Sequence, residues 1–545
     1  MIKKLLYLLF FSSLFCYSQN TVGTISITND VYEGYTLFSV HTKVYLINNC
    51  GEVINEWNSA YLPGSSVYLL PNGNILRAGR LEDGSSNIGF GGQGGIVELF
   101  DWDGNIIWSY IYSTNELRQH HEAHPLPNGN VLILAATVVS GDDAIDFGRD
   151  PSLLPDNELY NEQLIEVQPI LGTTNGNIVW EWNIFDHLIQ DFDNTKQNFG
   201  NVATSPEKLD INFINNDTGG NNWLHVNSVQ YNEERDQIVL SARRVSEIWV
   251  IDHSTTTAEA ATGSGGTYGK GGDLLYRWGN PQAYRQGTET ERTLFGQHSP
   301  YIIPDGLPNE DKIILFNNGF QRSPEFSQVD IISPPETSLG VFDYTTGTAY
   351  GPLAADYTYS EPGSDPSDLY SVIVSNAQQL PNGNILVCEG NQGYIFELDT
   401  NDNKVWEYVN PVNNGIGTIT EQGNLATGNL TFRAIKYSVD YPAFTGRDLT
   451  PGLPIEINPD LTPCNNLSID DFEINTVSIY PNPTKDKIQI NSKTEITKVE
   501  VFNILGNKIT EFKGSRLDLG QFQNGMYLLK IHTNNSIVSK RIIKN

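Results

Sequence analysis

Three histidines in this chain stand at matching places in a repeated sequence pattern. The pattern is LPNGN followed by an apolar run, at Leu70–Leu76, Leu126–Leu132 and Leu380–Leu386. Asn-Gly between two apolar runs is a strong hairpin signal. Five residues before the hairpin leucine stand Ser65, His121 and Ser375. Looser hairpins at Asn232–Asp236 and Asp305–Asp311 place His225 six residues before Tyr231 and His298 five before Ile303. Residues equidistant from a turn face each other across an antiparallel pair, which sets Arg243 beside His225 and Asn318 beside His298. Three histidines, an arginine and an asparagine around one cavity suit an anion. A neutral imidazole is a nucleophile, while guanidinium and imidazolium donors stabilise charge on transferred oxygens. Phosphoryl transfer would recruit Mg²⁺ and carboxylates, and neither a P-loop nor a kinase motif occurs here. A sulfuryl group carries less charge and needs no metal.

The elements that must hold these residues are strands. A second signature, a turn and then a strand with Trp, recurs as GEVINEW to Trp57, GNIIWSY (Trp108), GNIVWEW (Trp180, Trp182), DLLYRW (Trp278) and NKVWEY (Trp406). About six such units fit between residues 30 and 460. Repeated units of four short strands predict an all-β fold, a six-bladed β-propeller. Equivalent positions on its innermost strands ring one axis, so the imidazoles converge at one mouth of the channel. Residues 140–160, 186–222 and 253–272 read as loop insertions, and Gly89–Gly95 and Gly263–Gly272 as loops rather than phosphate cradles, since no helix follows. HHEAH at His120–His124 is one residue short of a helical zinc motif and runs into Pro125, so no metal is expected. The Trp residues read as core, and Asp186-His187 as a loop anchor.

Composition sets limits. The 545 residues carry 33 Lys+Arg against 64 Asp+Glu, a net charge of −31, which disfavours phosphate backbones and hence nucleic acid. Lys3 and Lys4, an apolar run Leu5–Phe15 and small residues near Ser18 read as an export signal over 1–18. No later run is long enough to span a membrane. Cys50, Cys388 and Cys464 then allow one disulfide and one free thiol, with the pair left open. From 475 the balance turns basic, with 11 Lys+Arg against 5 Asp+Glu. A linker over 463–474 therefore separates a domain at 19–462 from one at 475–545.

The last segment, with VSIYPNP (Val477–Pro483), FNILGNKI, GMYLLKI (Gly525–Ile531) and a basic tail, resembles the C-terminal sorting domain of type IX secretion. That implies a small β-sandwich, the type IX machinery as a partner, and a secreted or surface-attached protein. The segments HHEAHPLPNGNVLIL, NNWLHVNSVQYN, IVLSARRVSEIWVID, LFGQHSPYII and FNNGFQR resemble the aryl-sulfate sulfotransferase family. The resemblance implies an enzyme without cofactor or nucleotide sulfate donor. It would move a sulfuryl group from a phenolic sulfate ester to a phenol, by a ping-pong route through a sulfohistidine. It makes His298 the nucleophile, His225 and Arg243 the groups that stabilise the sulfuryl and leaving oxygens, and one of His120 and His121 the remaining histidine. Turn alignment favours His121. His120, Asn227 and Asn318 complete the set as substrate-binding candidates. Glu122 stands where Asp is commoner in the family and Arg244 where His is. The family's N-terminal β-sandwich is missing, which leaves the oligomeric state open. The rival expectation is a non-catalytic surface propeller that binds sulfated or acidic glycans.

Overall fold

A computed structural model describes residues 20–154, 156–215, 220–361, 369–465, 477–492, 495–503, 508–533 and 537–545. The expected export signal at 1–18 and most of the expected linker at 463–474 lie outside the described residues. The chain divides after Pro463 into two compact units.

Among the described residues the first unit holds six antiparallel sheets of four or five strands. Each LPNGN turn joins an innermost strand to the second one, as Leu117–Pro125 to Val131–Ser140. Gly73 and Gly129 take φ of +87° and +86° there, backbone that glycine adopts without cost. Second strands such as Gln237–Ala242 are buried at every position, because each is covered by neighbouring sheets on both faces. That is why they read as continuous apolar runs rather than alternating ones.

Strand exchange joins the ends of this unit. Ala434–Ser438, from its C-terminal end, forms the innermost strand of the first sheet beside Gly34–Val40. Gly23–Ile27 is added to the outer edge of the last sheet, against Lys404–Val409. A chain of side-chain hydrogen bonds then links each sheet to the next. Trp57 donates its indole N–H to the Asp101 carbonyl at 2.9 Å, Trp108 to Asn175 at 2.8 Å and Trp182 to Gly272 at 2.8 Å. Trp278 donates to Pro352 at 2.7 Å, and the Tyr357 hydroxyl to Asp402 Oδ1 at 2.6 Å. Trp406 returns from the last sheet to the Asn49 carbonyl of the first at 2.7 Å. The tryptophans thus bury a large apolar ring and satisfy its one donor on the neighbouring turn. The fold is all-β, a β-propeller closed upon itself.

The expected insertions carry short helices at Gly141–Asp146 and Thr257–Ala260 and a small parallel pairing of Leu188–Ile189 with Leu209–Asp210. The second unit has sheets of three and four strands around Ile488, Ile490, Val499, Val501, Leu529 and Ile531. Cys50 is in a disulfide and so is Cys464, and Cys388 is a buried free thiol. Among the described residues no helix is long and apolar enough to cross a membrane.

Candidate active site

The innermost strands are irregular where the site lies. Their register with the second strand slips between Pro63 and Val67, Gln119 and Ala123, Val226 and Ser228, and His298 and Tyr301. A bulge of this kind re-aims a side chain. Ser65, His121 and His225 take left-handed backbone at or next to these points, with φ of +100°, +51° and +50°, and Ser375 does so just before its strand begins, with φ of +90°. In the fifth sheet Ser299 does so instead (φ +55°), so His298 sits one residue ahead of its counterparts. The expected pairing of Arg243 with His225 is present, as Arg243 N–H donates to the His225 carbonyl at 3.2 Å. The strand partner of His298 is Phe316 rather than Asn318, because the bulge before Tyr301 shifts the ladder. Asn318 reaches His298 by its side chain.

His121, His225, His298 and Arg243 line one cavity of about 450 Å³, together with Arg80, Gly92, Gln93, Val374 and Phe432. Each of the three imidazoles is anchored at Nδ1, which leaves Nε2 for the cavity. His298 Nδ1 meets Asn318 Oδ1 at 2.7 Å. The Asn318 amide is oriented by its own N–H groups, which donate to the Ser371 carbonyl at 2.6 Å and the Val374 carbonyl at 2.9 Å. Its oxygen therefore faces His298, the proton sits on Nδ1, and Nε2 keeps a lone pair. That lone pair meets the Val374 N–H at 3.2 Å. His225 is held the other way, with the Asn222 amide N–H donating to Nδ1 at 2.8 Å, so its Nε2 carries the proton. His121 Nδ1 lies 2.9 Å from His120 Nδ1, and His120 Nε2 lies 2.9 Å from Glu162 Oε2.

Burial, and then Arg243 nearby, pushes His298 down to about 3 despite the Asn318 bond. Burial and Arg243 hold His225 well below the ordinary histidine range, and burial and His225 do the same to His121. At neutral pH these rings are uncharged, so the positive charge of the cavity comes from arginine rather than from imidazolium. Arg243 donates through Nη2 to the Val372 carbonyl at 3.2 Å and lies over the Phe320 ring. The chemistry within reach is attack by a neutral imidazole on an anion held by guanidinium and N–H donors.

The three substrate-binding candidates stand behind the wall. Asn318 and His120 support His298 and His121, and Asn227 donates to the Gln297 carbonyl at 2.9 Å. The histidines of HHEAH lie on a strand and go separate ways. His120 meets Glu162, His121 lines the cavity, and His124 Nδ1 meets the Tyr68 hydroxyl at 3.2 Å. Sequence reasoning missed Glu162, Asn222 and Arg433. Arg433 pairs with the buried Glu122 at 2.8 Å, and both hold Tyr68. It also missed Phe90 and Gly92 in the glycine-rich stretch it took for a plain loop. Phe90 packs on His120, His121 and His225. The stretch follows a strand with no apolar period of its own, so a glycine fitted to an imidazole looks like any loop glycine.

The pattern described as "Secretion system C-terminal sorting domain" matches residues 478–545. The chain is thus exported by type IX secretion, to be secreted or held at the cell surface. A curated relative, the ulvan lyase NLR42 of Nonlabens ulvanivorans, is 33% identical over 86 residues, 14% of this chain and 16% of that protein. The chain therefore spans about a sixth of the length of that relative. Among solved structures, a protein of unknown function from Bacteroides caccae aligns with a TM-score of 0.39 at 11% identity, over 74% of this chain and 98% of that one. A virginiamycin B lyase from Staphylococcus aureus aligns with a TM-score of 0.32 at 10% identity, over 71% and 88%. The pattern described as "Arylsulfotransferase (ASST)" matches residues 33–437, most of the propeller and every residue of the cavity named above, and the chain belongs to that family.

Proposed function

We propose that this protein transfers a sulfuryl group from a phenolic sulfate ester to a phenol in two steps, through a sulfohistidine at His298. The six sheets act as the six blades that carry the site at one mouth of their channel. The observation that carries the reading is the proton assignment at His298. An amide whose orientation is fixed by two carbonyls holds the proton on Nδ1 and leaves Nε2 as a lone pair in a cavity that contains Arg243. His298 Nε2 attacks sulfur. Arg243 and the His225 Nε2–H hold the sulfuryl oxygens and the departing oxygen, and the Val374 N–H, which meets the Nε2 lone pair in the resting site, gives way when that lone pair attacks. Asn318, His120 and Asn227 serve as supports rather than as substrate contacts. No cofactor enters this scheme.

The test is release of nitrophenolate from 4-nitrophenyl sulfate, with and without added phenol, in wild type and His298→Ala. A burst of about one equivalent without acceptor, phenol-dependent turnover, and loss of both in the variant are expected. A folded wild-type protein that releases nothing with any phenol tried would favour a surface module that binds sulfated or acidic glycans.

A further inference from the structure

The scheme needs a base for the incoming phenol, and the buried groups behind His121 bear on where it lies. Glu162, 2% exposed in its side chain, holds two donors. Its Oε1 accepts from the Val226 N–H at 2.9 Å and its Oε2 meets His120 Nε2 at 2.9 Å. Among the described residues the base partner of this carboxylate is His120, which is itself fully buried. A buried carboxylate next to an imidazole fixes a proton on the facing nitrogen, here Nε2. His120 Nδ1 then lies 2.9 Å from His121 Nδ1, and a hydrogen bond between two nitrogens requires one proton between them. With that proton on His121, His121 Nε2 is a base facing the cavity. With it on His120, His121 Nε2 is an N–H donor, and the extra charge sits on His120 beside Glu162.

We infer that Glu162, His120 and His121 form a proton relay, with His121 Nε2 the general base for the acceptor phenol and Glu162 and His120 its positioning residues. This rests on the proposed two-step transfer. In the second step the phenol oxygen bonds to sulfur and the S–Nε2 bond of sulfo-His298 breaks, its electron pair returning to His298. The phenol proton passes to His121 Nε2, and the Nδ1 proton of His121 passes to His120. A neutral phenol and a zwitterionic sulfohistidine become an aryl sulfate anion and one positive charge on the relay, so charge balances. The relay is useful because His121 alone is a poor base. It is buried and faces His225, His120, His298 and Arg243, which all disfavour a positive charge on it. Moving that charge one residue back places it against a carboxylate and away from the guanidinium. For a donor whose phenol is a poor leaving group, the same path run in reverse supplies the proton.

The experiment compares Glu162→Gln with wild type. The amide must still accept from Val226 N–H, so its NH₂ group faces His120 Nε2. That turns both histidines to the opposite tautomer and leaves His121 Nε2 protonated. Transfer from 4-nitrophenyl sulfate is measured to phenol itself, with a pKa near 10 as for tyrosine, and to an acidic phenol already ionised at the assay pH. The expected result is a loss of about 100-fold for phenol, the scale of general base catalysis, and under 5-fold for the ionised acceptor. Equal losses for both acceptors, or none for either, would overturn the relay. Absence of the nitrophenolate burst in wild type would instead overturn the two-step reading beneath it. If Glu162→Gln does not fold, His120→Asn is put through the same two acceptors with the same criteria.

Discussion

The proton assignment at His298 can be tested by changing one atom of its partner. Asn318→Asp puts a carboxylate oxygen where the amide oxygen lies, 2.7 Å from Nδ1. The chain contains its own calibration of what carboxylates do to an imidazole. His253 lies between Asp236 at 2.7 Å and Glu166 at 3.0 Å, and these bonds raise it to about 9 although burial works against them. His298, bonded to an amide, lies at about 3. One carboxylate in place of two should cover roughly half of that difference and bring His298 to about 6. Deeper burial at His298 works to keep it there or lower. The assay is the burst rate of nitrophenolate between pH 4 and 9, read after an alkaline quench. Wild type should be flat from pH 5 to 8, because Nε2 stays unprotonated throughout. The variant should lose its burst below about pH 6 with the slope of a single proton, and recover above pH 7 to within about 10-fold of wild type. The two carbonyls of Ser371 and Val374 lose their donors at about 1–3 kcal/mol each, which lowers the stability of the variant rather than its burst rate. A one-proton limb near pH 6.5 in wild type, or a variant equally slow at every pH, would refute the reasoning.

Other perturbations follow from the same contacts. A Cβ on Gly92 would run into the His121 ring, and φ there is +80°. Gly92→Ala should therefore cut kcat/KM at least 10-fold while the melting temperature falls by only a few degrees. Glu122→Gln leaves Arg433 buried without its charge partner and should cost about 3–5 kcal/mol in urea unfolding. The folded pKa of His253, about 9, lies above the unfolded value near 6.5. Its contribution is thus whole below pH 6.5 and lost as pH rises through 9. His253→Asn should remove most of the difference in unfolding free energy between pH 6.5 and 9.5, at most about 3 kcal/mol because Asp236 is 42% exposed.

What could be read from the residues alone was whatever one hairpin sets. A hairpin fixes the register of the first two strands of a sheet, so His225 and Arg243 could be paired by arithmetic on their numbers about the turn at Asn232–Asp236. At His298 the arithmetic is two residues out, and His298 pairs with Phe316 while Asn318 arrives by its side chain. Bulges leave little mark in residue types, because the left-handed residues at or beside the site are three serines and two histidines. Contacts made by closing the ring are harder still. Arg433 and Glu122 are 311 residues apart, and Trp406 finds its acceptor at Asn49 across 357. Glu162 lies on the third strand of its sheet, one strand removed from the hairpin that carries His120 and His121. No turn relates it to them by a fixed spacing. The proposed nucleophile and the residues proposed to bind the sulfuryl oxygens belong to the part that local turns position, and the groups that set their protons belong to the part that only the closed propeller assembles. The repeat could thus reveal where a reaction takes place before it could reveal which nitrogen is free to carry it out.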